Sequence, residues 1–412
     1  MLREETQLPL TLKDVDVFDP DIYVRGVPHE AFRLLRREAP VYRHQEPNGP
    51  GFFAITKYDD LVRISLDSAT FSSAQGTNIP DLPEDALRVI RMMMVNMDPP
   101  KHTQYRRTVS KGFTPRVVRE MEPRVRGVTT EIVDRVAARG SCDFVTDIAA
   151  ELPLQVIVEL MGVPLEDRHK VFEWSNQMIG AEDNEYAQMP GEGRLAAMQV
   201  FNYAHQIAEQ REREPQSDIV TTLVNAEPGG ERLTRPEFAA FFMLIAVAGN
   251  ETTRNLISGA MLALIEHPEQ RAKLQADPSL IPIAVEEMLR WVTPVMHFRR
   301  TATRDVEIRG QKIREGEKVV MYYSSANRDE DVFPGGDVFD IARSPNDHVA
   351  FGGGGAHFCL GSNLAKLEIR VMFEELLRRL PDIELAAPVQ RLRSNFINGI
   401  KHMPVRFTPE RG

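Results

Sequence analysis

Apolar residues recur at helical spacing over much of the chain. The pattern predicts helices over Pro28 to Ala39, Tyr58 to Leu66, Val117 to Arg139, Pro153 to Met161 and Glu166 to Arg213, with Gly162-Val163-Pro164 as a stop. Thr234-x-x-Glu237 reads as a capping box, and the helical pattern then runs to about His267, roughly 50 Å at 1.5 Å per residue. This stretch is apolar nearly all round, so it belongs in the centre of a core. Polar residues interrupt its middle, from Gly249 to Asn255. Pro282 to Trp291 and Ser362 to about Arg379 complete the helical set.

Alternating and extended patterns are fewer. Val41-Tyr42 and Gly51 to Thr56 read as a hairpin around Pro47-Asn48-Gly49-Pro50-Gly51. Val292 to Phe298 reads as an extended apolar strand, and Val306 to Gly310 and Lys318 to Tyr323 as strands about the turn Arg314 to Glu317. The β-rich parts are thus about 40–57, 293–323 and 390–408, and the fold class is mainly α with a smaller β-rich region. No Ser/Gly/Pro-rich linker divides the 412 residues, so one domain over 1–412 is expected.

Composition narrows the partners. The net charge of −10 argues against nucleic acid. Two cysteines, Cys142 and Cys359, make no disulfide framework and fit a reducing, cytoplasmic setting. The first residues hold no apolar signal core, and the longest apolar run, Phe238 to Gly249, is about 12 residues and too short for a bilayer. No membrane anchor is expected.

Four segments carry candidate chemistry. Phe351-Gly352-Gly353-Gly354-Gly355-Ala356-His357-Phe358-Cys359-Leu360-Gly361 places a thiol between a glycine loop and a helix, where amide N–H groups favour a thiolate. A phosphate loop is excluded by spacing, since His357 stands where a third glycine is needed. A buried, inert Cys359 is the plain alternative. Asp98-Pro99-Pro100-x-His102-x-x-x-Arg106 puts His102 and Arg106 on one helical face, which read blandly is a solvated basic face. Gly249-Asn250-Glu251-Thr252-Thr253 is a polar knot in a buried helix, costly unless satisfied or functional. Glu287 and Arg290 share a face, and an exposed pair of this kind is worth little.

The first of these, with Gly355, His357, Cys359 and Gly361 in register, resembles the cysteine-ligand loop of the cytochrome P-450 family, and the likeness extends over nearly the whole chain. The resemblance implies the P-450 fold, with haem b between the long central helix and the cysteine loop. It makes Cys359 the axial thiolate of the iron and O2 the co-substrate. The family's usual aromatic lies seven residues before the cysteine. Here Gly352 holds that place and Phe351 is eight before, so either the extra glycine bulges or the shield over the sulfur is changed.

The remaining roles follow from the same likeness. His102, Arg106 and Arg300 are expected at the haem propionates, with Phe351, His357 and Gly361 in the cofactor-binding set. Glu251 and Thr252 are expected to relay protons, and Glu287, Arg290 and Arg343 to form a buried structural network. The substrate pocket is expected to include Met94, Val95, Leu244, Ala248, Val295, Met296 and Ile397, under a lid formed by 166–213. The implied activity is insertion of one oxygen atom into a C–H bond of a small hydrophobic substrate. A methyl-branched lipid or steroid side chain is favoured, with terpenoids or other secondary metabolites as the alternative, and a non-catalytic haem sensor as a different class. With no fused flavin or iron–sulfur module, electrons are expected from a ferredoxin and its reductase, docking at Arg107, Lys111, Arg116 and Lys366.

Overall fold

The computed structural model describes residues 10–410 except 181, 188, 190, 217–218 and 225–232. The reading of the extreme N-terminus lies outside these residues. Among them, no helix is long and apolar enough to cross a membrane.

The central helix spans Arg235–Glu266. Its start is fixed as the capping box requires: Thr234 Oγ1 accepts from the Glu237 amide at 3.4 Å, and Glu237 Oε2 accepts from the Thr234 amide at 3.0 Å. Glu237 also takes an ion pair from Lys101 at 3.1 Å, tying the helix Lys101–Val109 to the cap. Gly249 is required by packing, because a Cβ there would stand 2.7 Å from Ile157 Cδ1 on the helix Glu151–Leu160. Helices Pro115–Ala137, Ile281–Val292 and Ser362–Arg379 join it around the largest apolar core.

The main sheet contains β1 (Val41–His44), β2 (Phe52–Ile55), β3 (Phe71–Ser72), β5 (His297–Ala302) and β8 (Lys318–Tyr322), in the order β1-β2-β8-β5-β3; the short β4 (Ser141–Asp143) lies elsewhere. The expected hairpin is present, with Val41 opposite Ile55. Strand β2 then runs parallel to β8, pairing Phe52 with Lys318. Both strands are buried at every position because both sheet faces are covered. Phe53, Ile55, Val319 and Met321 pack into one cluster, and Phe52, Ala54, Val320 and Tyr322 into another.

Three expectations are corrected. The stretch 166–213 is two helices, Arg168–Ile179 and Glu192–Arg213, because the chain turns between Gly180 and Gly191, where φ is 96°. Val306–Ile308 (β6) does not pair with Lys318–Tyr322 but with Gln311–Ile313 (β7), through a turn at Arg309 and Gly310 with φ of 48° and 78°. Between Val292 and Phe298 the helix persists to Val292 and Thr293 turns left-handed at φ 45°, so the strand begins only at His297.

Candidate active site

The cysteine loop needs its glycines for identifiable reasons. Gly352, Gly354 and Gly355 have φ of 99°, 90° and 73°. Gly353 is needed for close approach, since a Cβ would lie 2.7 Å from Ser65 Oγ and 2.9 Å from Leu61. The loop closes by a hydrogen bond from the Cys359 amide to Phe351 O at 2.9 Å. The Phe351 ring lines the same cavity as Cys359, so the extra glycine is accommodated in the loop and the aromatic stays at the site.

Cys359 presents surface to this cavity while protein surrounds it. Burial pushes its thiol up; the Gly361 and Ser362 amides and the Arg106 guanidinium pull the other way. The helix Ser362–Arg379 begins immediately beyond, which accounts for the amides.

Three of the expected cofactor residues line the cavity's polar rim: His102, Arg106 and Arg300. Arg106 also does something the sequence did not show, donating to Ala356 O at 3.0 Å and Phe358 O at 2.6 Å, so it grips the loop that carries the cysteine. Arg300 is buried and donates to Arg299 O at 2.9 Å. Among the described residues neither guanidinium has a carboxylate partner, and burial lowers the pKa of both. His102 and His357 stand ring to ring at 4.4 Å. Burial and then Arg106 bring His102 to about 4; burial, Arg300, His102 and Arg106 bring His357 to about 2, so both are neutral N–H donors. A buried guanidinium at Arg300 and a half-buried one at Arg106, neither with a countercharge, facing an apolar cavity call for an anionic ligand. A flat macrocycle with carboxylate arms and an iron for the sulfur meets that requirement, so the residues present fit haem.

On the central helix, Leu244, Ala248, Gly249, Thr252 and Thr253 line the cavity. Thr252 Oγ1 donates to Ala248 O at 2.7 Å, the local back-bond expected of a mid-helix threonine. Glu251 does not line it. Its carboxylate is fully buried in an ion pair with Arg254, whose other nitrogen donates to Asn176 Oδ1 at 2.6 Å. Burial pushes Glu251 up and Arg254 opposes it.

Of the expected pocket residues, Met94, Val95, Leu244, Ala248 and Val295 line the cavity and Met296 and Ile397 do not. Val295 pairs with Ile397 as an isolated β-bridge, and in extended chain Val295 and Met296 face opposite ways, which sends Met296 into the wall. Among the described residues, the expected lid contributes none to the lining. Ile245, Tyr323 and Glu368 line the cavity and were missed; Ile245 was findable, being four before Gly249 on one helical face.

Glu287 and Arg290 are fully buried and paired at 2.6 Å, with Arg343 Nε 3.2 Å from the same carboxylate. Arg290 further donates to Asn327 O at 2.7 Å and Gly336 O at 2.8 Å, fixing the irregular segment that leads to the cysteine loop. Of the expected docking cations, Arg107 is exposed, Arg116 is paired with Glu120 at 3.0 Å and Lys366 with Glu286 at 2.8 Å. The Lys111 side chain lies outside the described residues.

A thiol at a glycine loop, cations awaiting an anion and a threonine-bearing central helix define a haem-thiolate protein, and the chain belongs to the cytochrome P450 family, whose sequence profile matches residues 20–385. That family binds haem through a thiolate, uses O2 and draws electrons from redox partners. The protein is a P450 monooxygenase, an oxidoreductase. Relatives include a steroid C26-monooxygenase of Rhodococcus jostii, 43% identical over 96% of this chain and 85% of that one. A methyl-branched lipid omega-hydroxylase of Mycobacterium tuberculosis is 43% identical over 92% and 90%. A Mycobacterium marinum cytochrome P450 solved with pseudoionone superposes with a TM-score of 0.90 at 40% identity, covering 95% of this chain and 98% of that one.

Proposed function

We propose that this monooxygenase hydroxylates a terminal methyl group of a methyl-branched lipid or a steroid side chain. The observation that carries this reading is the wall of the cavity that Thr252 also lines: Met94, Val95, Leu244, Ala248, Val295 and Phe298 offer only apolar side chains, which suits a substrate whose reacting end is itself hydrocarbon. The names of the two relatives at 43% identity support the same class. The relative solved with pseudoionone favours terpenoids as a second reading.

Haem b would be held by Cys359 at the iron and by His102, Arg106 and Arg300 at the propionates. When bound, it supplies activation of O2, with thiolate donation favouring O–O cleavage. The chain's own part is to position and to protonate. The apolar wall orients the substrate and keeps water away. Thr252 holds a hydroxyl at the cavity, and Glu251, after parting from Arg254, brings protons to it. Electrons come from a ferredoxin and its reductase, in the cytoplasm, with Arg107 at the docking face.

Spectral titration of the haem-loaded protein with phytanic acid, a cholestenone and a set of terpenes tests the assignment. A low-to-high-spin shift with the first two is expected, and a shift with terpenes alone refutes it. In turnover, Thr252→Ala is expected to divert electrons into peroxide; unchanged coupling removes Thr252 from the relay.

A further inference from the structure

One surface carboxylate grips the cysteine loop from outside. Glu286, on the helix Ile281–Val292, accepts from Lys366 Nζ at 2.8 Å and from His348 Nε2 at 3.0 Å. The Ala350 amide donates to His348 Nδ1 at 3.2 Å, so the histidine is the Nε2–H tautomer. Both partners of Glu286 converge on one ring. Lys366 Nζ stands 5.6 Å from the centroid of Phe351, and the His348 ring is 6.0 Å from it. Phe351 in turn lines the cavity and accepts the Cys359 amide through its carbonyl.

The four glycines between Phe351 and Cys359 carry no side chains to hold the loop shut, so beside the His357 ring, 4.4 Å from His102, what grips its two ends bears on its closure. Arg106 holds the cysteine end, through Ala356 O and Phe358 O. The cluster of Glu286, Lys366 and His348 holds the phenylalanine end. The Lys366 side chain is 38% exposed, and as a simple ion pair at that exposure it adds little to stability. Placed over the side chain of the residue whose backbone carbonyl accepts from the Cys359 amide, the same charge acts on the sulfur's surroundings. Hydrogen bonds around a ligating sulfur tune a haem-thiolate centre, and here the Cys359 amide is directed to Phe351 while those of Gly361 and Ser362 face the sulfur.

We propose that Lys366, anchored by Glu286 over the Phe351 ring, is a positioning residue for Cys359, keeping the loop closed so that the sulfur remains ligated as a thiolate and keeps its electron donation. This rests on Cys359 being the haem ligand. The test uses haem-loaded Lys366→Met, which keeps the length and removes the charge, and Lys366→Arg, which keeps the charge. Two quantities are read: the reduction potential, and the rate at which the ferrous CO band at about 450 nm gives way to one at about 420 nm in mild guanidinium. Lys366→Met is expected to shift the potential and to speed the conversion about two- to fivefold, as loss of one exposed cation–π contact implies. Lys366→Arg is expected to match the wild type. An unchanged potential and rate in Lys366→Met overturns the proposal, and so does an equal change in both variants, which would indicate bulk and not charge. Glu286→Gln, which frees the lysine without removing it, is expected to move both quantities part of the way; no movement overturns the proposal even where Lys366→Met fails to load haem. If the wild type itself shows no band near 450 nm, the ligand assignment fails instead, an outcome distinct from normal wild type with indifferent variants.

Discussion

His297 gives a quantitative test of how the strand behind the cavity is packed. It sits on β5, is 1% exposed, and packs between the rings of Tyr322 and Phe396 at centroid distances of 5.5 Å each. Among the described residues neither ring nitrogen has a partner in good hydrogen-bond geometry, although the Asn395 side chain lies close enough to favour the charged form. Burial lowers its pKa to about 4, against a weaker opposing pull from the Asn395 side chain. A depressed histidine stabilises the fold fully above its unfolded pKa of about 6.5 and loses that contribution as pH falls toward 4. The difference of about 2.5 pKa units corresponds to about 3 kcal/mol over the whole window, and to about 2 kcal/mol at pH 5. His297→Phe keeps a ring in the slot and removes the titration. At pH 7.5 it is expected to be at least as stable as the wild type, since two unpartnered nitrogens are gone. At pH 5 the gap is expected to widen in the variant's favour by roughly 2 °C in unfolding midpoint, scaled to 412 residues. Midpoints of both haem-loaded proteins across this range decide it. Parallel curves between pH 7.5 and 5 would mean that His297 is not kept neutral by burial, and the reasoning fails.

Other perturbations read other parts of the structure. Glu287→Gln leaves Arg290 buried without its countercharge, so a loss of about 3–5 kcal/mol and poor haem loading are expected in unfolding and Soret measurements; normal loading would show that the network is dispensable. Gly355→Ala forces a Cβ to 2.5 Å from Ser65 O at φ 73°, and about 1–3 kcal/mol of strain is expected to appear as lower stability and a weaker Soret band. Burial raises Glu237, but Tyr105, Thr234 and Lys101 outweigh it and hold the carboxyl at about 2. Its stabilisation is therefore present above about pH 4.5 and lost as pH falls toward 2, and Glu237→Gln is expected to flatten the acid limb of the stability profile. If an acidic ferredoxin docks at Arg107, turnover should fall with ionic strength, and charge reversal there should abolish that dependence.

Local signals carried most of what was legible. The capping box fixed where the central helix starts because both of its partners lie within one turn. The glycine loop announced itself because positive φ and close approach leave little choice of residue. The break between Ile179 and Glu192 was missed because that stretch reads as helical throughout while its turn depends on tertiary anchors, such as Lys401 on Asp183 at 3.0 Å. The parallel pairing of β2 with β8 joins strands far apart in sequence, which no local pattern encodes. Glu251 shows the limit at the site. It is adjacent to Thr252 in sequence yet about 100° round the helix, so only one of the two reaches the cavity. Arg106, expected at a propionate, lines the cavity, and its hold on Ala356 and Phe358 could not be read locally because they lie some 250 positions away.

That clasp between Glu251 and Arg254 has a kinetic meaning. Glu251 is paired with a guanidinium and sealed from solvent, so in the proposed relay it would pass a proton only after a side-chain swing away from Arg254, like a valve that its neighbour pulls shut. In the proposed relay, the timing of that swing, more than the acidity of the carboxyl, then meters each turnover.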